Sequence, residues 1–89
     1  MLSELKDRLH ILHDHDDKNL TSLLDQAHSQ IQAYCGEFDP YEDKQGKELM
    51  FEYVRFVYNG ATEHFYGRFL PLLSNFRHQL AIKAKGDEE

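Results

Sequence analysis

Residues 20–36 read LTSLLDQAHSQIQAYCG. Leu20, Leu23, Leu24, Ala27, Ile31 and Tyr34 recur at i, i+3, i+4, i+7, i+11 and i+14, the spacing of a single apolar stripe on an α-helix. The remaining positions are mostly polar, so one face of this helix belongs in a core and the other in water. Gly36 follows the stripe, where a residue without a Cβ is suited to stop a helix in a left-handed conformation.

The same period continues on either side. Upstream, Leu2, Leu5, Leu9 and Leu12 predict a short amphipathic helix that stops in HDHDD, residues 13–17. Asp is a poor helix-interior residue and a good cap, so Asp16 or Asp17 is expected to accept from the free N–H groups of the next helix. Downstream, Asp39-Pro40 offers a cap followed by a first-turn proline, with a start nearer Lys44 as the alternative because Gly46 weakens the first turns. From Lys47 to about Tyr66 two apolar stripes interleave: Leu49, Tyr53, Phe56, Val57 and Gly60, and Met50, Val54, Tyr58, Ala61 and Phe65. A helix apolar on two faces is packed on both sides or touches another chain. FEYVRFVY, residues 51–58, also has strand-forming composition, but its spacing fits period 3.6 and no second strand is available to pair it. Pro71 is expected to start a last helix after a turn at Gly67, with Leu72, Leu73, Phe76, Leu80 and Ala84 as its stripe and Lys83 and Lys85 near its end. The expected fold is an all-α small bundle of about four helices, two long and two shorter. Its core is built on Leu20, Leu24, Ala27, Ile31, Tyr34, Tyr53, Val54, Phe56, Val57, Leu73, Phe76 and Leu80. Residues 1–85 form a single helical domain in this reading, and GDEE, residues 86–89, a disordered acidic tail.

Composition limits the function. At 10.5 kDa the chain suffices for one domain, with a folded surface of roughly 5,400 Å² against about 15,000 Å² unfolded. The net charge of −6 disfavours non-specific binding to nucleic acid, because each phosphate contact needs a cation. A single cysteine, Cys35, permits no internal disulfide. The apolar runs are too short for a transmembrane helix, and MLSELKDRLH does not read as a signal peptide, so a soluble, intracellular-type domain is expected. The charge is uneven. Residues 1–43 hold ten acids and three bases, whereas residues 44–85 hold three acids and seven bases. Eight of the eleven aromatics lie between Phe51 and Phe76. Either an acidic helical pair packs on a basic one within the fold, or the acidic face of one copy meets the basic face of the next.

No constellation points to chemistry. His10, His13 and His15 with Asp14, Asp16 and Asp17 have zinc-ligand chemistry, but His15 would have to fold back from a loop, and a solvated capping loop explains them better. A calcium loop starting at Asp14 fails, with Lys18, Asn19 and Asp25 at positions that need other residues. Cys35 at a helix C-terminus is placed where the dipole raises a thiol pKa, and reads as a small core filler. His28, His64 and His78 read as boundary residues, and the Asn19-Leu20-Thr21 sequon as chance. Arg55, Arg68 and Arg77 make a weak patch for phosphates; stacking on aromatics or pairing with acids on a neighbour suits them better. No helix reads as an exposed, base-rich recognition helix. Expected catalytic residues, metal ligands and cofactors are therefore none.

Four pieces in order carry a family resemblance: LKDRLHILHDHDD (5–17), LTSLLDQAHSQIQAYCG (20–36), FVYNGATEHFYGRFLP (56–71) and LLSNFRHQLA (72–81). Over residues 2–82 the chain resembles the small head–tail connector (adaptor) proteins of long-tailed double-stranded DNA phages and prophages. The resemblance implies an all-α bundle, not an enzyme, that assembles as about a dozen copies into a homo-oligomeric ring beneath the portal protein. It also implies a DNA channel that DNA crosses without specific binding, and a platform for the next head-completion or tail protein. The place implied is the virion head–tail interface, with the host cytoplasm during assembly and no membrane. Asp14, Asp16 and Asp17 on the acidic side and Arg55, Arg68 and Arg77 on the basic side are the expected oligomer or partner contacts. A small helical interaction or regulatory module is the alternative.

Overall fold

The computed structural model describes the backbone of residues 1–87 and the side-chain surroundings of residues 1–84. It contains α1 (Leu2–Leu9), α2 (Asp17–Cys35), α3 (Lys44–Tyr58), a 3₁₀ turn (Thr62–His64) and α4 (Phe65–Asp87). α2, α3 and α4 pack on one another, and α1 lies against α2. The fold is thus the expected all-α bundle, with α4 its longest helix.

Local chemistry sets the ends. α1 stops at His10, which takes a left-handed conformation (φ 59°, ψ 38°). His10 N–H donates to the Asp7 carbonyl and Ile11 N–H to the Lys6 carbonyl, at 3.3 and 2.9 Å, the paired bonds of a Schellman motif. The chain therefore leaves the helix before Leu12, which is 97% exposed instead of continuing the stripe. α3 ends by the same device: Gly60 has φ 71°, Gly60 N–H donates to the Val57 carbonyl and Ala61 N–H to the Phe56 carbonyl. That stop cuts the expected 47–66 helix and hands Phe65 to α4. Gly36 has φ 111° and ψ 168°, a positive-φ region beyond the left-handed helix that only glycine enters freely.

The start of α3 is settled by Asp43, whose carboxylate accepts from Gly46 N–H at 3.1 Å. Asp39 does not cap it. Asp39 Oδ1 accepts from Tyr41 N–H at 2.9 Å, so Asp39-Pro40 forms a tight turn before the helix. Gly46 is a close-approach residue rather than a weakness: a Cβ there would lie 2.5 Å from the Phe38 ring and 3.0 Å from Phe76. The Phe38 ring meets Phe76 and His28 edge-on, at 5.2 and 4.9 Å between centroids.

Pro71 does not begin α4; it lies inside it. Phe65, Phe69, Leu73, Phe76 and Leu80 form a continuous inward stripe through the proline, and their packing outweighs its local cost. Pro71 and Gly67 are both exposed, so the carbonyl that Pro71 cannot bond is open to water. Leu72 and Ala84, expected in the stripe, are exposed. The core consists of Leu5, Leu20, Leu24, Ala27, Ile31, Cys35, Leu49, Met50, Phe51, Tyr53, Val54, Phe65, Leu73 and Phe76, with Tyr34, Phe56, Val57 and Leu80 half-buried at its margin. The acidic tail expected at 86–89 lies largely outside the described residues.

α1 buries only Leu5 fully and is held by charge at its edges. Arg8 grips the Glu48 carboxylate with both terminal nitrogens, Nη2–Oε1 at 2.8 Å, and its guanidinium lies over the Phe51 ring. Lys47 Nζ donates to Glu4 at 2.8 Å. These cations hold the Glu48 and Glu4 carboxyls below their ordinary value of 4.5.

Three outcomes follow. Phe65→Ala, at a fully buried ring, is expected to cost about 3–5 kcal/mol by urea denaturation, and a loss below ~1 kcal/mol would contradict the packing described. Gly46→Ala should lower the melting temperature, although helix propensity alone would raise stability by about 1 kcal/mol. A depressed folded pKa contributes stability above the unfolded value that is lost as pH falls through the folded value. The wild type should therefore lose more stability than Glu48→Gln as pH drops from near 5 to below the lowered Glu48 pKa; parallel urea midpoints would exclude the Arg8–Glu48 clamp.

Candidate assembly surfaces

The Asp-rich turn before α2 is tied to other elements rather than capping its own helix. Asp16 occupies the cap position without a side-chain capping bond. Its Oδ2 accepts from the Tyr58 hydroxyl at 3.0 Å, linking the start of α2 to the end of α3 and raising the Tyr58 pKa. Lys6 Nζ donates to Asp14 at 2.6 Å and to Asp17 at 2.8 Å. The hydrogen bonds to Asp14 and Asp17 raise the Lys6 pKa, and the Lys6 bond lowers that of Asp14. One lysine between two carboxylates leaves the turn negative. The neighbouring His13 and His15 rings lie 5.0 Å apart. Among the described residues no three His, Cys, Asp or Glu side chains are placed to hold a metal ion.

The three arginines do not converge. Arg55 lies on α3, 3.6 Å from Glu52 one turn earlier. Arg68 and Arg77 are nine residues apart, on opposite sides of α4. The Arg77 guanidinium lies 5.8 Å from the Tyr34 ring centroid, joining α4 to the end of α2. Nearby, the buried Cys35 thiol donates to the Leu73 carbonyl at 3.4 Å. Burial disfavours the thiolate and pushes the Cys35 pKa up, against a smaller opposing pull from Arg77.

Sequence reasoning missed a cleft of ≈ 860 Å³ between the start of α1, α2 and the 37–41 turn. Leu2, Leu24, Phe38, Pro40, Tyr41 and Met50 supply apolar surface, and Asp25, Glu37 and Asp39 supply charge. No Lys or Arg lines it among the described residues. The turn is folded over α2 by His28, whose Nε2 lies 3.1 Å from the Phe38 carbonyl. The two aromatics flanking Asp39-Pro40 in an acidic stretch were the available signal. A second cleft of ≈ 500 Å³ lies where the same turn meets Leu80, Lys83 and Ala84 of α4.

Residues 1–69 match the family model described as Phage gp6-like head-tail connector protein. The match spans α1 to α3, the 3₁₀ turn and the first residues of α4, so the resemblance read over residues 2–82 extends past the matched part. No curated protein and no solved structure compared with the chain matches it. No helix among the described residues is long and apolar enough to cross a membrane. An all-helical bundle whose α1, α2 and α3 all fall inside a match covering more than half the sequence belongs to the Phage gp6-like head–tail connector proteins, a structural, non-enzymatic family.

Proposed function

We propose that copies of this chain close into a ring of about a dozen subunits at the portal, extend the DNA channel, and present a platform to the next head-completion or tail protein. A ring contact is heterologous: the two faces that meet are different and must complement each other. The observation that carries this reading is where the charge is left unpaired. Internal ion pairs join α1 to the Asp-rich turn and to α3, but none of those among the described residues uses a cation of α4. The charges of Arg68, Arg77 and Lys83 on the C-terminal helix are therefore not paired with acids of α2 in the same subunit. They remain available between subunits, where complementary potentials steer association and fix register.

In this reading Asp14, Asp16 and Asp17 contribute to the acidic potential that steers one copy toward the next, and Arg55, Arg68 and Arg77, on different sides of α3 and α4, contribute to the basic one. An acidic channel wall suits the role, because cationic walls would hold the phosphate backbone that has to slide past. The ring catalyses nothing and needs no cofactor; its work is to join head and tail in the virion after assembly in the host cytoplasm.

A nonsense codon in this gene in an inducible prophage should yield heads that have packaged DNA, or leak it, without attached tails. Particles with normal tails and plaques of normal size would overturn the proposal.

A further inference from the structure

The ≈ 860 Å³ cleft and the outer face of α4 are the two open surfaces that complement each other. The cleft joins an apolar lining, including Phe38, Tyr41 and Met50, to the carboxylates of Asp25, Glu37 and Asp39. Tyr41 stands at its edge and is 80% exposed. α4 has the opposite character: no Asp or Glu occurs from His64 to Gly86, and on its outer face Arg68 supplies the positive charge. Arg68, Leu72, Asn75, Gln79 and Ile82 follow at i, i+4, i+7, i+11 and i+14, so they share one exposed stripe about 21 Å long. Leu72 and Ile82 on it are 51% and 57% exposed. They are large aliphatic side chains left outside a core that the same helix fills with Phe65, Leu73 and Phe76.

The helix of the same subunit does not occupy this cleft. Its Leu80, Lys83 and Ala84 line the second cleft, whereas Thr21, Leu24 and Asp25 of α2 line the first, and only the 37–39 segment is common to both. The first cleft is thus not filled by α4 of its own subunit.

We infer that the outer stripe of α4, Arg68 to Ile82, docks in the acidic cleft of the next copy, with Leu72 and Ile82 on the apolar lining and Arg68 toward the carboxylates. The inference rests on the ring reading and names its two contact faces. A helix laid in an apolar groove is a common recognition mode, and here it places unlike surfaces together, as a head-to-tail contact requires. Each subunit gives one helix and receives one.

The test uses two full-length variants. Asp25→Lys with Glu37→Lys spoils the cleft and leaves the helix intact; Leu72→Glu with Ile82→Glu spoils the helix and leaves the cleft intact. All four positions are exposed, and circular dichroism checks that both variants fold. Sedimentation velocity is then run on the wild type, on each variant and on their equimolar mixture. The expected result is an assembled wild type, two monomeric variants, and a mixture that forms one-to-one dimers and stops there. Variants that assemble like the wild type overturn this contact and leave the ring reading standing with other faces. Monomeric variants whose mixture also stays monomeric show that the two surfaces do not meet, and overturn it equally. A wild type that never associates contradicts the ring reading, and this contact with it.

Discussion

The aromatic seam around Phe65 determines how the last helix is laid down, and with it what the molecule shows to its surroundings. Phe65 is fully buried, with Tyr53 and Phe56 of α3 edge-on at 5.1 and 5.9 Å between ring centroids and Phe69 stacked at 5.1 Å. Geometry of this kind adds about 0.5–1.5 kcal/mol per pair beyond the area buried. The seam sits at the first residue of α4, immediately after the Gly60 stop and the 3₁₀ turn, so the helix leaves it with its rotation already set. Phe69, Leu73, Phe76 and Leu80 then point inward, and Arg68, Leu72 and Ile82 have nowhere to go but out.

The other end of the bundle is governed by one small contact. Gly46 lets the Phe38 ring lie directly on α3, and His28 ties the same segment to α2. Phe38 therefore anchors the acidic turn, with one cleft on each side of it. The solvent-accessible surface of 6060 Å² exceeds the roughly 5,400 Å² expected of a folded monomer this size, in keeping with extents of 48 × 25 × 17 Å.

How much of this was legible depended on whether local rules and tertiary packing agreed. They agree in α2, where one regular stripe meets one core, and helix and stop were readable together. They disagree at Pro71: the local preference of proline for a first turn is outweighed by an aromatic stripe on both sides of it, so the helix begins at Phe65 rather than at the proline. Leu12 kept the helical period by accident, since nothing in the residue types marks His10 for a left-handed turn. The Asp residues before α2 were legible as acids but not as partners of Lys6 and Tyr58, because those pairings need α1 and α3 in place. The same holds for the cleft, whose walls come from three separate stretches of chain. Charge segregation was visible from the sequence; whether packing would consume it was not.

The central claim is that this segregation serves association between unlike faces. Native mass spectrometry of the purified protein, over a range of concentration and ionic strength, tests it most directly. A closed species far larger than a dimer, dissociating as salt screens its contacts, is the predicted result. A tight dimer that persists at every dilution and salt concentration would contradict it, because a two-fold contact pairs a face with itself.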